Sequence, residues 1–228
     1  MVECHASTLS SWFWCAKKAV DQLHGVVPDF KSQALQRGTD VHDWLAKRPK
    51  DLKTLEIVDG LAKFKVKSSF RSGTFFPRQY KDFNVMGDID DIVLVDDKYI
   101  RILENKTIRI PERIEKFWYV SPYVFQVGIY CWILEPIVKE IGYRLADTHL
   151  IQWFSSLTAL PAECPTCGRM FERTQVRYDE QEVLSRLEQI HAAYHDPNLI
   201  IYPKIPWKCE RCDEVYRRNC PKGSLTLA

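Results

Sequence analysis

Between Val85 and Lys106 two apolar runs flank the polar turn Asp96-Asp97-Lys98, and few folds other than a β-hairpin accommodate that pattern. With Asp97 at the turn centre, pairing outward sets Asp90 opposite Glu104. Alternation along the strand then puts Lys106 on the face of Glu104. Asp88 shares the face of Asp90, whereas Asp91 points to the opposite one. Two carboxylates held together among apolar neighbours repel one another and are costly unless a cation lies between them. On spacing alone, a solvent-facing acidic hairpin with an exposed Glu104–Lys106 pair is the better reading. The residues around it reverse that preference.

The rest of the chain places this hairpin inside an α/β pattern. Helical spacing covers Thr8 to Leu23 and about Phe30 to Lys47, and short β-branched and aromatic stretches from Leu61 to Ile110 indicate strands. Ser121-Pro122 reads as a helix start, with an apolar helix running to about Leu134. Strands follow near Thr148 to Ser155 and Thr174 to Tyr178, with Pro161 to Arg169 as the turn between them. An amphipathic helix from about Asp179 to His195 carries Val183, Leu187, Ile190 and Tyr194 on one stripe. A chain of 228 residues, 46% hydrophobic, buries a substantial core without help from disulfides. We expect one domain over 1–228: a helical part (1–50), a core (51–160), a Cys-x-x-Cys hairpin insertion (161–176) and a C-terminal helix with a cysteine-rich tail (177–228). A formal charge of +2 excludes a histone-like polycation, so any nucleic-acid contact has to come from local basic patches.

The apolar stretch from Trp12 to Ala16 is too short for a signal or membrane helix, and a cytoplasmic location without membrane attachment is expected. Eight cysteines in a reducing compartment point to metal ligation rather than disulfides. Cys164-x-x-Cys167 resembles half of a zinc knuckle. It can join Cys209-x-x-Cys212 in a zinc ribbon, or use His191 and His195, which stand four apart on a helix; the plainer reading leaves those histidines as surface residues. Cys131, inside an apolar helix, is expected to be a buried inert thiol.

Taken in order, Gly38-x-x-x-His42, Gly87-x-x-Asp90, Glu104-x-Lys106 and Gln126-x-x-x-Tyr130, with Cys15 near the start and Cys209-x-x-Cys212 and Cys220 near the end, form a recognisable series. It resembles the RecB-like nucleases of the PD-(D/E)xK superfamily, most closely the CRISPR-associated iron-sulfur exonucleases. The resemblance runs from Cys15 to Cys220. It implies a restriction-endonuclease-like α/β core, with a mixed central sheet flanked by helices and a cysteine-ligated cluster joining the N- and C-terminal segments. His42, Asp90, Glu104 and the backbone carbonyl of Asn105 would then bind Mg2+ or Mn2+, and Lys106 would serve the attacking water, making Asp90, Glu104 and Lys106 the catalytic set. Gln126 and Tyr130, on one helix face, would position DNA. Cys15, Cys209, Cys212 and Cys220 would hold an iron-sulfur cluster of the 4Fe-4S type, with Cys4 as a substitute for Cys15; four thiolates suit zinc equally well.

The activity implied is metal-dependent exonuclease cleavage of single-stranded DNA or overhangs, 5' to 3', in CRISPR spacer acquisition beside the integrase. A repair, recombination or viral nuclease of the same family meets the same residues. So does a non-catalytic zinc protein that binds nucleic acid or docks on a partner enzyme. Arg101, Arg109, Arg113 and Lys116 lie near the hairpin in sequence and are placed to track phosphates, and Phe117, Trp118 and Tyr119 to stack bases.

Overall fold

The computed structural model describes residues 1–26, 52–58, 61–67, 75–96, 98–108, 110–155, 170–200, 216 and 220. Gly38, His42, Arg109, Cys164, Cys167, Cys209, Cys212, the helix expected over 30–47 and the 161–169 turn lie outside them.

Two sheets share the chain. The smaller runs β1 (Val2–His5), β5 (Phe83–Asp88), β4 (Phe75–Tyr80), with β1 parallel and β4 antiparallel to β5. The larger runs β10 (Met170–Val176), β9 (His149–Ser155), β7 (Tyr99–Ile108), β6 (Asp91–Val95), β2 (Leu52–Val58), β3 (Leu61–Lys67), and the short β8 (Arg144–Leu145) also pairs with β7. The sheet is mixed because β7 is antiparallel to β6 but parallel to β9. A parallel return needs a crossover, and helix α3 (Phe117–Glu140) supplies it. The chain leaves β5 of one sheet and enters β6 of the other across only Ile89 and Asp90.

α3 is apolar on most of its circumference, as befits a helix covered on several sides. It touches β5 in one sheet, β7 and β9 in the other, and the C-terminal helix α4 (Glu180–His195). Gly128 lets α4 approach closely, since a Cβ there would lie 2.9 Å from Val183 Cγ2. Asp179 caps α4, its carboxylate accepting from the backbone N–H groups of Gln181 and Glu182.

Two helices differ from the expectation. The first is broken into α1 (Ala6–Ser10), a 3-10 turn and α2 (Ala16–Leu23), because Cys15 takes an extended conformation (φ −161°, ψ 105°) and its sulfur accepts the Lys18 N–H as an N-cap. The other, α3, starts at Phe117 rather than Ser121 and continues to Glu140 instead of ending near Leu134. Pro136 lies inside it and cannot donate to the carbonyl of Trp132. The Arg78 guanidinium from β4 does so instead, and sits 4.2 Å from the centre of the Trp132 ring. Tyr216, near the chain's end, is buried against the beginning of the chain, its hydroxyl donating to the Val26 carbonyl at 3.1 Å while Lys18 Nζ lies over its ring.

Candidate active site

The hairpin pairs Asp91 with Leu103, Ile92 with Ile102 and Val95 with Tyr99. Extending that register by one residue sets Asp90 opposite Glu104. Asp90 lies just outside the ladder, and its Oδ2 accepts the backbone N–H of Asn105 at 2.7 Å, as a cross-strand carbonyl would. That bond fixes the carboxylate beside the second strand. Asp91, one residue on, turns the other way: it is 1% exposed, and its Oδ2 accepts from the Asn105 side-chain amide at 3.3 Å. Adjacent aspartates therefore serve opposite faces of one sheet.

Glu104 is 2% exposed and its Oε1 lies 2.5 Å from Lys106 Nζ. A glutamate and a lysine two apart on a strand share a face, so the short contact follows from the pleat. The ammonium also lies 5.3 Å from the centre of the Tyr123 ring. Behind Lys106, Trp153 of β9, its partner in register, packs against Tyr119 and Tyr123 of α3, and both tyrosines contact Trp14.

α3 closes the other side. Gln126 and Tyr130 are both buried, and the Gln126 amide donates to the Tyr130 hydroxyl at 2.6 Å. Burial pushes the Tyr130 phenol well above its ordinary value, and the negative charges of Glu104, Asp90 and Asp88 push it further. Tyr130 is therefore a neutral hydroxyl facing three carboxylates. Gly87 makes this approach possible, because a Cβ at that position would stand 2.8 Å from Cδ1 of the Tyr130 ring. Tyr123 is likewise held far up, first by burial, then by Tyr119 and Glu104.

Of the expected residues, the structure thus brings together Asp90, Glu104, Lys106, Gln126 and Tyr130, with Asn105 contributing its backbone N–H. Arg101 is elsewhere: it lies on the opposite pleat face, and its Nε donates to the Thr148 carbonyl at 2.9 Å. Arg113 is half-buried near Tyr119, Lys116 is exposed, Phe117 is 85% exposed and Trp118 partly so. Tyr123, Trp14 and Trp153 are additions. A helical stripe 119, 123, 126, 130 follows the i, i+4, i+7 rule and carries a polar tip at every position, a signal that extends the Gln126–Tyr130 pair by two turns.

The donor set suits a hard divalent cation, since Asp90 and Glu104 offer oxygen ligands from adjacent strands at a mostly buried spot. For the cysteines, the docking of Tyr216 on α2 brings chain near the end against the segment that follows Cys15. Cys4 is fully buried in β1, and burial together with the Asp82 charge pushes its thiol up to about 12. Cys131 is also buried, its thiol raised well above the ordinary value by desolvation. His191 and His195 both face the Asp82 carboxylate. Among the described residues no helix is long and apolar enough to cross a membrane.

No protein-family model and no curated protein matches the chain. Similar solved structures include SSO0001, at 15% identity and a TM-score of 0.48 over 100% of this chain and 88% of that one. A protein from Eubacterium rectale described as an exonuclease gives 11% identity and a TM-score of 0.48 over 99% and 88%. The alkaline exonuclease of Laribacter hongkongensis gives 14% and 0.37 over 86% and 91%. Activities of such distant structures remain theirs, and the case for this chain rests on its own site.

Proposed function

We propose that this protein is a divalent-metal-dependent deoxyribonuclease that hydrolyses phosphodiester bonds at DNA ends. The observation that carries the reading is the convergence of Asp90, Glu104 and Lys106 across a hairpin register, beneath a helix that offers Gln126 and Tyr130 to the same spot. Two strand carboxylates 2% and partly exposed, with an ammonium against one of them, make a poor solvent-facing charge pair and a good ion and phosphate site.

Mg2+ or Mn2+, held by Asp90 and Glu104, with His42 and the Asn105 carbonyl completing the set in this reading, would polarise the phosphate and make bound water acidic. Around it the side chains have separable tasks. The Asn105 N–H fixes Asp90, so that carboxylate does not have to reorganise when the cation enters. Lys106 keeps its ammonium beside Glu104, where it can hold a water by one N–H and meet charge developing on phosphate oxygens. The neutral Tyr130 hydroxyl, supported by Gln126, can donate to a phosphate oxygen without adding charge. Exposed Phe117 and Trp118 at the head of α3, with Lys116 and Arg113 nearby, form the stacking and backbone-tracking surface for a single strand.

The finer reading is 5' to 3' exonuclease action on single-stranded DNA or overhangs, in spacer acquisition with the CRISPR integrase. Cys15, Cys209, Cys212 and Cys220 would hold an iron-sulfur cluster that pins the chain's two ends, a closure the Tyr216 contact already favours. End-labelled single-stranded DNA incubated with wild type or Glu104→Ala, with Mn2+ or with EDTA, tests the activity. Cleavage that needs Mn2+ and is lost in the variant is expected, and the ladder from each labelled end gives polarity. A metal-replete wild-type protein that cuts nothing would make it a binding or docking protein instead.

A further inference from the structure

A second polar cluster, at the β4–β5 turn, joins three parts of the chain. Asp82 sits in the β4–β5 turn, which Lys81 enters with φ 53°, a costly angle for a non-glycine residue. Its backbone carbonyl accepts the Val2 N–H at 2.7 Å, so the same residue also anchors β1. Its carboxylate meets two imidazoles of α4: His191 Nε2 at 2.5 Å from Oδ1 and His195 Nε2 at 3.2 Å from Oδ2.

The pair His191 and His195 stands at i and i+4, with ring centres 4.6 Å apart, so both rings leave the helix on one face. The edge of Phe83 fixes His191, and Tyr194 packs edge-on against His195. Three donor atoms from two elements consequently lie within 4.8 Å of one another. For a carboxylate alone, one imidazole N–H would be enough, and the second histidine adds no burial because it is half exposed.

We propose that Asp82, His191 and His195 form a structural Zn2+ site that clips the β4–β5 turn and β1 to α4. Two imidazoles and one carboxylate are a borderline-soft set that suits Zn2+ better than Mg2+ or Ca2+, with water in the fourth position. A tetrahedral ion about 2 Å from each donor sets the donors about 3.3 Å apart. The Asp82–His195 contact already has that spacing, and the Asp82–His191 contact reaches it by opening less than about 1 Å. To hold the ion each imidazole presents an Nε2 lone pair and keeps one proton on Nδ1, and any further proton leaves to solvent as the ion enters. The gain is a cross-link between residues 82 and 191 to 195, independent of the reading of the acidic hairpin.

The test compares full-length wild type, His195→Ala, Asp82→Asn and Glu104→Ala after equilibration with buffered Zn2+, reading metal per chain, melting temperature with and without Zn2+, and the histidine 15N spectrum. Both altered side chains are well exposed, so the fold is retained and the comparison is one of binding. His195→Ala and Asp82→Asn are expected to hold one Zn2+ fewer per chain than wild type and to lose part of the Zn2+-induced rise in melting temperature, while in Glu104→Ala, whatever metal the hairpin loses, the His191 and His195 Nε2 resonances still respond to Zn2+. In wild type the Nε2 resonances of His191 and His195 shift with Zn2+ and not with Mg2+. Zinc content and thermal shift unchanged in both variants, or Nε2 resonances indifferent to Zn2+, overturn the site.

Discussion

Two clusters in this molecule set a carboxylate beside basic side chains, and they are built in opposite ways. At the hairpin, strand register and pleat do the positioning: Glu104 is buried, Asp90 is clamped by a backbone N–H, and a whole helix closes over them. At the β4–β5 turn, helix spacing does it, and the Asp82 carboxylate and His195 remain open to water. Desolvation is the largest single influence on the Asp82 carboxyl and pushes it up, but the His191 hydrogen bond, a backbone hydrogen bond and the charges of His191 and His195 together hold it below its ordinary value. Buried charges with fixed geometry can perform chemistry, because they do not reorganise when a substrate arrives. Half-exposed charges on a turn are screened and fit a clip better than a catalyst.

The largest expected effect breaks the first cluster. Lys106→Ala should reduce metal-dependent DNA cleavage by about a hundredfold or more and, because it takes the ammonium from the buried Glu104 carboxylate, should also lower the melting temperature in chelator, as measured by single-turnover kinetics beside thermal unfolding. Gly87→Ala comes next. Its Cβ cannot stand 2.8 Å from the Tyr130 ring, so the ring or β5 has to shift, at a cost of about 1–3 kcal/mol in a denaturant titration, with a loss of cleavage from the displaced helix.

His149 sharpens the comparison from a third place. It is fully buried, accepts the Ile102 N–H on Nδ1, and its pKa falls to about 4 through burial and then the Arg101 charge. Its folded pKa lies below the unfolded value of 6.5, so the unfolded chain binds more protons between the two. Stability is complete above about pH 6.5 and is lost as pH falls towards 4, by on the order of 3 kcal/mol. Denaturant unfolding across that window should show the slope, and His149→Asn, which keeps an acceptor for Ile102, should flatten it. Tyr130→Phe is smaller still: losing the hydroxyl that Gln126 bonds should cost about 1 kcal/mol in the same titration. Smallest is His195→Ala in chelator, where melting should barely move because the contact is open to solvent.

How much of this was legible in the chain follows from range. The hairpin register could be read locally, since a period of two and a turn centre fix every pair from Val95–Tyr99 down to Asp91–Leu103. The opposite fates of Asp90 and Asp91 come with it. The extent of α3 could not. Pro136 reads as a stop, and the guanidinium that satisfies the Trp132 carbonyl comes from 54 residues earlier, beyond any local pattern. The break at Cys15 was hidden for a similar reason: a thiol serving as N-cap carries no strong sequence signal. His191 and His195 were visible as an i, i+4 pair, but Asp82 lies 109 residues from His191 and only the packing of α4 on the β4–β5 turn unites them. Arg101 looked adjacent to the site in sequence and proved to lie on the other face, because pleat parity outweighs proximity along a strand.

Asp90 and Glu104 are proposed to hold a divalent cation between two strands. The most direct test is Mn2+ binding followed by electron paramagnetic resonance in wild type, Asp90→Asn and Glu104→Gln, each with its cleavage rate. Both variants are expected to lose a Mn2+ that wild type binds and to lose cleavage with it. Wild-type Mn2+ affinity in Glu104→Gln would contradict that proposal.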